Sequence, residues 1–105
     1  MTGDQKMESG IKIKCMKRWG QFTIRQQPYC VIDDLETKQL EWDKEVFIPL
    51  QPNRLYRITV QFPYTSENKC GPATITVQLN PGEIQVYEYT TPPVAFVPGT
   101  IERKS

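Results

Sequence analysis

Apolar and polar residues alternate along most of this chain with a period of two. The clearest stretch runs Tyr56, Ile58, Val60, Phe62, Tyr64, interleaved with Arg57, Thr59 and Gln61. Successive side chains of an extended strand point to opposite faces, so such a run has one apolar and one mostly polar face. Ala73, Ile75, Val77 and Leu79 alternate with Thr74, Thr76 and Gln78 in the same way, and Ile11 and Ile13 with Lys12 and Lys14. Phe22 and Ile24, then Cys30 and Ile32, keep one parity across Pro28, which marks an edge position or a bulge. Val46, Ile48 and Leu50 form another inward set, and Ile84 and Val86 a further one. No window places apolar residues at i, i+3, i+4 and i+7 over the length a helix needs. The pattern predicts seven strands, at about 10–16, 21–26, 29–33, 39–50, 54–65, 73–79 and 83–90. Pro49 and Pro63 fall inside two of them, which makes each an edge strand or bulged at that point.

The connections carry turn chemistry. Asp33 to Lys38 reads as a hairpin tip, because Asp side chains accept hydrogen bonds from backbone N–H groups two residues on. Pro52-Asn53 and Pro81-Gly82 pair a residue fixed at negative φ with one that tolerates positive φ, the requirement of a type II turn. Ser66 to Pro72 is a longer polar loop, and Thr91-Pro92-Pro93 stops the last strand. Short strands evenly spaced by such turns predict an all-β fold, a small antiparallel β-sandwich of about seven strands with Greek-key or Ig-like connections. Residues 1–105 are expected to form one domain, with 1–9 and 102–105 frayed and the apolar Val94-Ala95-Phe96-Val97 packed back on it.

Two stretches share a frame. Leu50-Gln51-Pro52-Asn53-Arg54-Leu55-Tyr56-Arg57-Ile58 and Leu79-Asn80-Pro81-Gly82-Glu83-Ile84-Gln85-Val86-Tyr87 each join a strand end, a turn and a new alternating strand, with the prolines 29 residues apart. This resembles the small bacterial β-sandwich domains of the PEGA and carboxypeptidase-regulatory-like (transthyretin-like) type, over about residues 28–90, although Asn53 stands where that pattern usually has Gly. The resemblance implies a non-catalytic interaction or surface-presenting module and supplies no site residues.

Composition narrows the chemistry. The 105 residues include no His, which removes a histidine general base, a Ser/His or Cys/His nucleophile pair and an imidazole metal ligand. Cys15, Cys30 and Cys70 are odd in number and widely spaced, with no Cys-x-x-Cys pair, so they read as buried free thiols; a Cys15–Cys30 disulfide stays open if the chain is exported. The first ten residues lack a hydrophobic signal core and no apolar run approaches a bilayer span, so a cytoplasmic protein without membrane insertion is expected. No cofactor, metal or enzymatic activity is expected.

The net charge of +1 conceals two opposite stretches. Residues 1–25 carry six basic and two acidic residues, and residues 26–50 six acidic and two basic. Asp33, Asp34 and Glu36 are oxygen donors of the kind Ca²⁺ takes, or a solvated turn. Glu41, Asp43 and Glu45 share parity on an extended strand, either an acidic docking strip or a solvated face. In the basic stretch, Lys12, Lys14, Lys17, Arg18 and Trp19, followed by Phe22 and Arg25, combine phosphate attraction with aromatic stacking and form the nucleic-acid or anionic-surface alternative. The competing reading is an edge strand guarded by lysines, and the balanced net charge counts against nucleic acid as the partner.

The remaining candidate is an aromatic face. With Ile84 and Val86 inward, Tyr87 and Tyr89 point outward, as do Phe47 beside Val46 and Ile48, and Tyr29 beside Cys30. Aromatics at outward positions of neighbouring strands form a protein-binding patch, since Tyr is favoured in interfaces. Its occupant is the Val94–Val97 segment, a protein partner or second copy, or a flat ligand such as a sugar. The sequence thus predicts a non-catalytic interaction module, protein-binding or self-associating through Tyr29, Phe47, Tyr87 and Tyr89.

Overall fold

The computed structural model describes residues 8–17, 27–63, 69–91 and 99–105. The chain is all-β, with eight strands: β1 (Gly10–Met16), β2 (Tyr29–Ile32), β3 (Glu36–Gln39), β4 (Glu45–Pro49), β5 (Leu55–Pro63), β6 (Lys69–Gln78), β7 (Ile84–Thr90) and β8 (Thr100–Arg103). They form two four-stranded sheets of order β4-β1-β7-β8 and β3-β2-β5-β6. Every ladder is antiparallel except β1–β7, which is parallel and sets Ile11 against Gln85, Ile13 against Tyr87 and Cys15 against Tyr89.

Alternation on β1, β2, β5 and β6 fills the space between the sheets as the pattern predicts. Ile11, Ile13 and Cys15 enter from β1 and meet Cys30, Ile32, Tyr56, Ile58, Val60, Phe62, Ala73 and Val77 of the other sheet in one buried cluster. Facing sheets pack about 10 Å apart, so the inner row of each strand is desolvated by the opposite sheet while the outer row stays wet.

The turns follow their residue types. Asn53 (φ 62°) and Gly82 (φ 76°) take the left-handed conformation after Pro52 and Pro81. At the β2–β3 tip both Asp33 (φ 53°) and Asp34 (φ 58°) are left-handed, and the Leu35 N–H donates to the Ile32 carbonyl at 3.0 Å. Consecutive positive φ angles belong to a type I′ turn, whose twist matches the flanking strands. The Asp33 carboxylate holds the tip against β5, accepting from the Arg57 N–H at 2.9 Å and from Arg54 at 3.1 Å.

Three expectations change, and the one for the prolines holds. The stretch 39–50 is not one strand: Leu40 is buried with its N–H on the Pro28 carbonyl, Asp43 is left-handed (φ 61°) with its N–H on the Cys15 carbonyl, and the chain crosses from one sheet to the other there. Pro49 does lie on an edge strand, whereas β5 with Pro63 is interior, with a register irregularity between Val60 and Phe62. Residues 102–105 do not fray: Glu102 and Arg103 belong to β8, and Lys104 and Ser105 bond to the Val86 backbone, whose groups would otherwise face an open edge. Ser9 likewise is buried, its carbonyl accepting from the Leu50 N–H at 3.0 Å and its hydroxyl from the Gly82 N–H at 2.9 Å. The strand expected at 21–26 and the Val94–Val97 segment lie outside the described residues.

Two measurements check this packing. Cys15 and Cys30 are free and buried, and burial pushes their thiols up to about 12 and about 11. Alkylation at pH 8 is expected to spare both in the native protein and to reach them on unfolding; rapid native labelling would contradict their place in the core. At Gly10 a Cβ would collide with the Ile48 carbonyl and stand 2.7 Å from the Phe47 ring. Gly10→Ala is therefore expected to cost about 1–3 kcal/mol in denaturant unfolding, the range for overpacking.

Candidate interaction surface

The expected aromatic face does not form, because β7 is turned the other way. Tyr87 and Tyr89 are 7% and 0% exposed and belong to the core, while Ile84 is 40% exposed. Both parities of β7 are apolar, and the tyrosine rings desolvate more surface than Ile84 and Val86 would. The one polar residue this brings inside is satisfied: the Tyr87 hydroxyl donates to Gln85 Oε1 at 2.6 Å, and Gln85 Nε2 to Glu83 Oε2 at 3.1 Å. Tyr29 and Phe47 do sit on outer faces, half-buried, but on different sheets and thus opposite sides of the sandwich. The Phe47 ring lies over Gly10, and the Tyr29 hydroxyl accepts from Gln61 Nε2 at 3.0 Å.

The outer face of the first sheet interleaves its charges. Lys12 pairs with Glu45 at 3.8 Å, and Lys14 stands between Glu45 of β4 and Glu88 of β7, with Glu102 beyond. No stripe of one sign runs across this face among the described residues. Lys17 lies over the Trp42 ring at 5.3 Å, and Trp42 meets Phe62 edge-on at 5.6 Å. The aromatic beside the basic strand is thus Trp42, 25 residues away in sequence. Arg18 and Trp19 lie outside the described residues.

The acidic candidates are taken up by cations. Asp33 pairs with Arg54 at 3.1 Å, Asp34 with Arg57 at 3.3 Å and Glu36 with Lys38 at 3.0 Å. Among the described residues, no group of three or more His, Cys, Asp or Glu could hold a metal ion. Glu41, Asp43 and Glu45 share no strand face, because the left-handed Asp43 breaks the parity before β4 begins.

Among the described residues, two depressions stand out. One of about 520 Å³ opens at the end of the sandwich between Ile32, Leu50, Pro52 and Tyr56, with Arg54 stacked 4.7 Å over the Tyr56 ring. The other, about 480 Å³, lies on the outer face of the second sheet, among Val31, Arg57, Thr59, Gln61 and Thr74. Its polar groups are already paired with one another: Thr59 and Thr74 hydroxyls at 2.9 Å, Arg57 with Asp34.

The four sheet edges differ more than the faces do. A free edge exposes a row of backbone N–H and C=O groups, and proteins blunt it with short strands, charge or proline. Edge β3 has four residues with the Glu36–Lys38 pair; β8 has four with Glu102 and Arg103; β4 starts at Glu45 and ends at Pro49. Edge β6 has ten residues, and its segment Ala73-Thr74-Ile75-Thr76-Val77-Gln78 holds no charge, proline or glycine. Among the described residues it pairs only with β5, and across the sandwich it comes close to β8, the edge strand of the facing sheet, without a ladder between them. Thr74, Thr76 and Gln78 are exposed, and Ile75, on the inner row, is only partly buried. The sequence shows this segment plainly, but not that it lies at an edge.

Comparison with protein-family models, curated proteins and solved structures finds no match to this chain.

At the same end of the sandwich as the β2–β3 tip, Glu83 gives the fold an acid-sensitive contact. Its carboxyl is held below the usual glutamate value by the Asn80 N–H at 2.9 Å, by the Gln85 amide and by Arg103. A lowered folded-state pKa contributes stability above the unfolded value and loses it as pH falls through the folded one. Acidification through and below the carboxylate range is expected to lower the thermal midpoint more in the native protein than in Glu83→Gln; identical acid profiles would contradict this role.

Proposed function

We propose that this protein is a non-catalytic interaction module that takes up an extended strand of a protein partner along the free edge of β6. The observation that carries this reading is the contrast among the edges: three are short and carry charge or proline, and the fourth, beyond its own Lys69 and Pro72, offers six consecutive residues with neither. Strand addition supplies affinity through main-chain hydrogen bonds, each worth about 0.5–1.5 kcal/mol net, and specificity through alternate side chains. On the inner row an added strand would cover the partly buried Ile75, and on the outer row it would meet Thr74 and Thr76.

The chemistry of the chain agrees with such a role. It has no histidine, and its paired carboxylates are surface groups bound to Arg and Lys. A non-catalytic module is also what the resemblance to PEGA and carboxypeptidase-regulatory-like domains implies. The interleaved acids around Lys12 and Lys14 oppose an extended phosphate backbone on that face, so the nucleic-acid reading gains nothing from them.

A blocked peptide of residues 55–62, the segment that already pairs with β6 on its other side, probes the free edge. In an NMR titration it is expected to shift the amides of Ala73–Gln78 and leave those of β4 unmoved. Thr74→Lys/Thr76→Lys is expected to weaken binding about tenfold or more, since a lysine-bearing edge resists pairing. Shifts spread over both sheets, or binding unchanged in the double variant, would contradict the reading.

A further inference from the structure

We infer that the strand taken up by β6 is the β6 of a second copy, antiparallel about a twofold axis through Ile75, so that the two four-stranded sheets join into one of eight strands. This inference rests on the strand-addition reading and narrows it to one partner.

The β6 edge is self-complementary. A twofold contact brings the same patch against itself, so each residue must tolerate its symmetry mate. In an antiparallel pair, directly opposed residues lie on the same face, so only a register centred on a residue preserves the inner and outer rows. Centred on Ile75, Thr74 opposes Thr76 on the exposed row, while Ala73 opposes Val77 on the buried row, a small residue against a larger one. The two Ile75 side chains meet at the axis, where each is only partly covered in the single chain. Threonine already pairs with threonine across this sheet, in the Thr59–Thr74 contact at 2.9 Å. Cross-strand Thr pairs are among the favourable ones, and like charges opposite one another among the worst. A neutral segment self-pairs without bringing like charges together, whichever residue lies at the axis.

The other edges offer less to pair: β3 and β8 have four residues each, and β4 has three between Glu45 and Pro49, whereas β6 has six beyond Pro72.

The register is tested by cysteine trapping in a Cys70→Ser background, with Cys15 and Cys30 left buried. Thr74→Cys protein mixed with Thr76→Cys protein is expected to form a disulfide-linked dimer under mild oxidation, and neither variant alone to do so. Ile75→Cys is expected to link to itself. Sedimentation of the native protein is expected to show a concentration-dependent dimer, and the Thr74→Lys/Thr76→Lys variant, in which every lysine opposes a lysine, a monomer that stays folded by circular dichroism. A dimer insensitive to the lysines, or one trapped equally well by either cysteine variant alone, overturns the inference. A native protein that stays monomeric at about 1 mM also overturns it: if that monomer still takes up the 55–62 peptide at β6, the strand-addition reading stands without the second copy, and if it does not, both fall.

Discussion

The structure depends on parity. Two sheets about 10 Å apart share one interior, so every strand must commit alternate residues to it, and a slip of one residue would turn a strand's apolar row to water. Strand β1 sits where this constraint is tightest. It pairs with β4 on one side and β7 on the other, and its inward row of Ile11, Ile13 and Cys15 is fully buried. Because the β1–β7 register sets Ile13 beside Tyr87 and Cys15 beside Tyr89, the tyrosines share the inward face with that row. Burying the rings fixes β7, and β7 in turn holds β8, including the Lys104 and Ser105 bonds to Val86 that close the chain's end onto the sheet.

The same constraint accounts for the polar groups that are buried. Gln85 is inside only because its neighbours two residues on are, and the Tyr87 hydroxyl and the Glu83 carboxylate satisfy it. Among the described residues no buried side-chain nitrogen or oxygen lacks a partner. An unpaired amide there would cost about 1–3 kcal/mol, comparable to what a buried aliphatic side chain contributes. The charged residues meanwhile sit at the tips and on the outer rows, paired at 3.0 to 3.8 Å in partly or fully exposed positions where each pair stabilises little.

Much of the fold was legible in alternation alone. Tyr56 to Phe62, Ala73 to Val77 and Ile11 to Ile13 have one apolar parity each, and all three face the core. Pro52-Asn53 and Pro81-Gly82 announce their turns. What alternation could not decide was β7, where Ile84 and Val86 compete with Tyr87 and Tyr89 and ring area wins, and with that the expected aromatic face was lost. Nor does a period of two distinguish a parallel neighbour from an antiparallel one, or reveal the break at Asp43, which needs a left-handed residue that sequence permits at many polar positions. The edge is a different case. Ala73–Gln78 is visibly uncharged in the sequence, but only sheet order shows that no described strand pairs with it on the side away from β5, and only the comparison with β3, β4 and β8 makes its lack of charge and proline meaningful.

The central claim is that the outer edge of β6 is open in one copy and covered by another strand in a complex. Residue-resolved amide hydrogen exchange over a dilution series tests it most directly. The account predicts that, within Ala73–Gln78, amides unprotected in dilute protein become protected as concentration rises, while amides of the β5–β6 ladder stay protected throughout. Protection of the whole segment that is already complete at the lowest concentration, or that never changes, would contradict it.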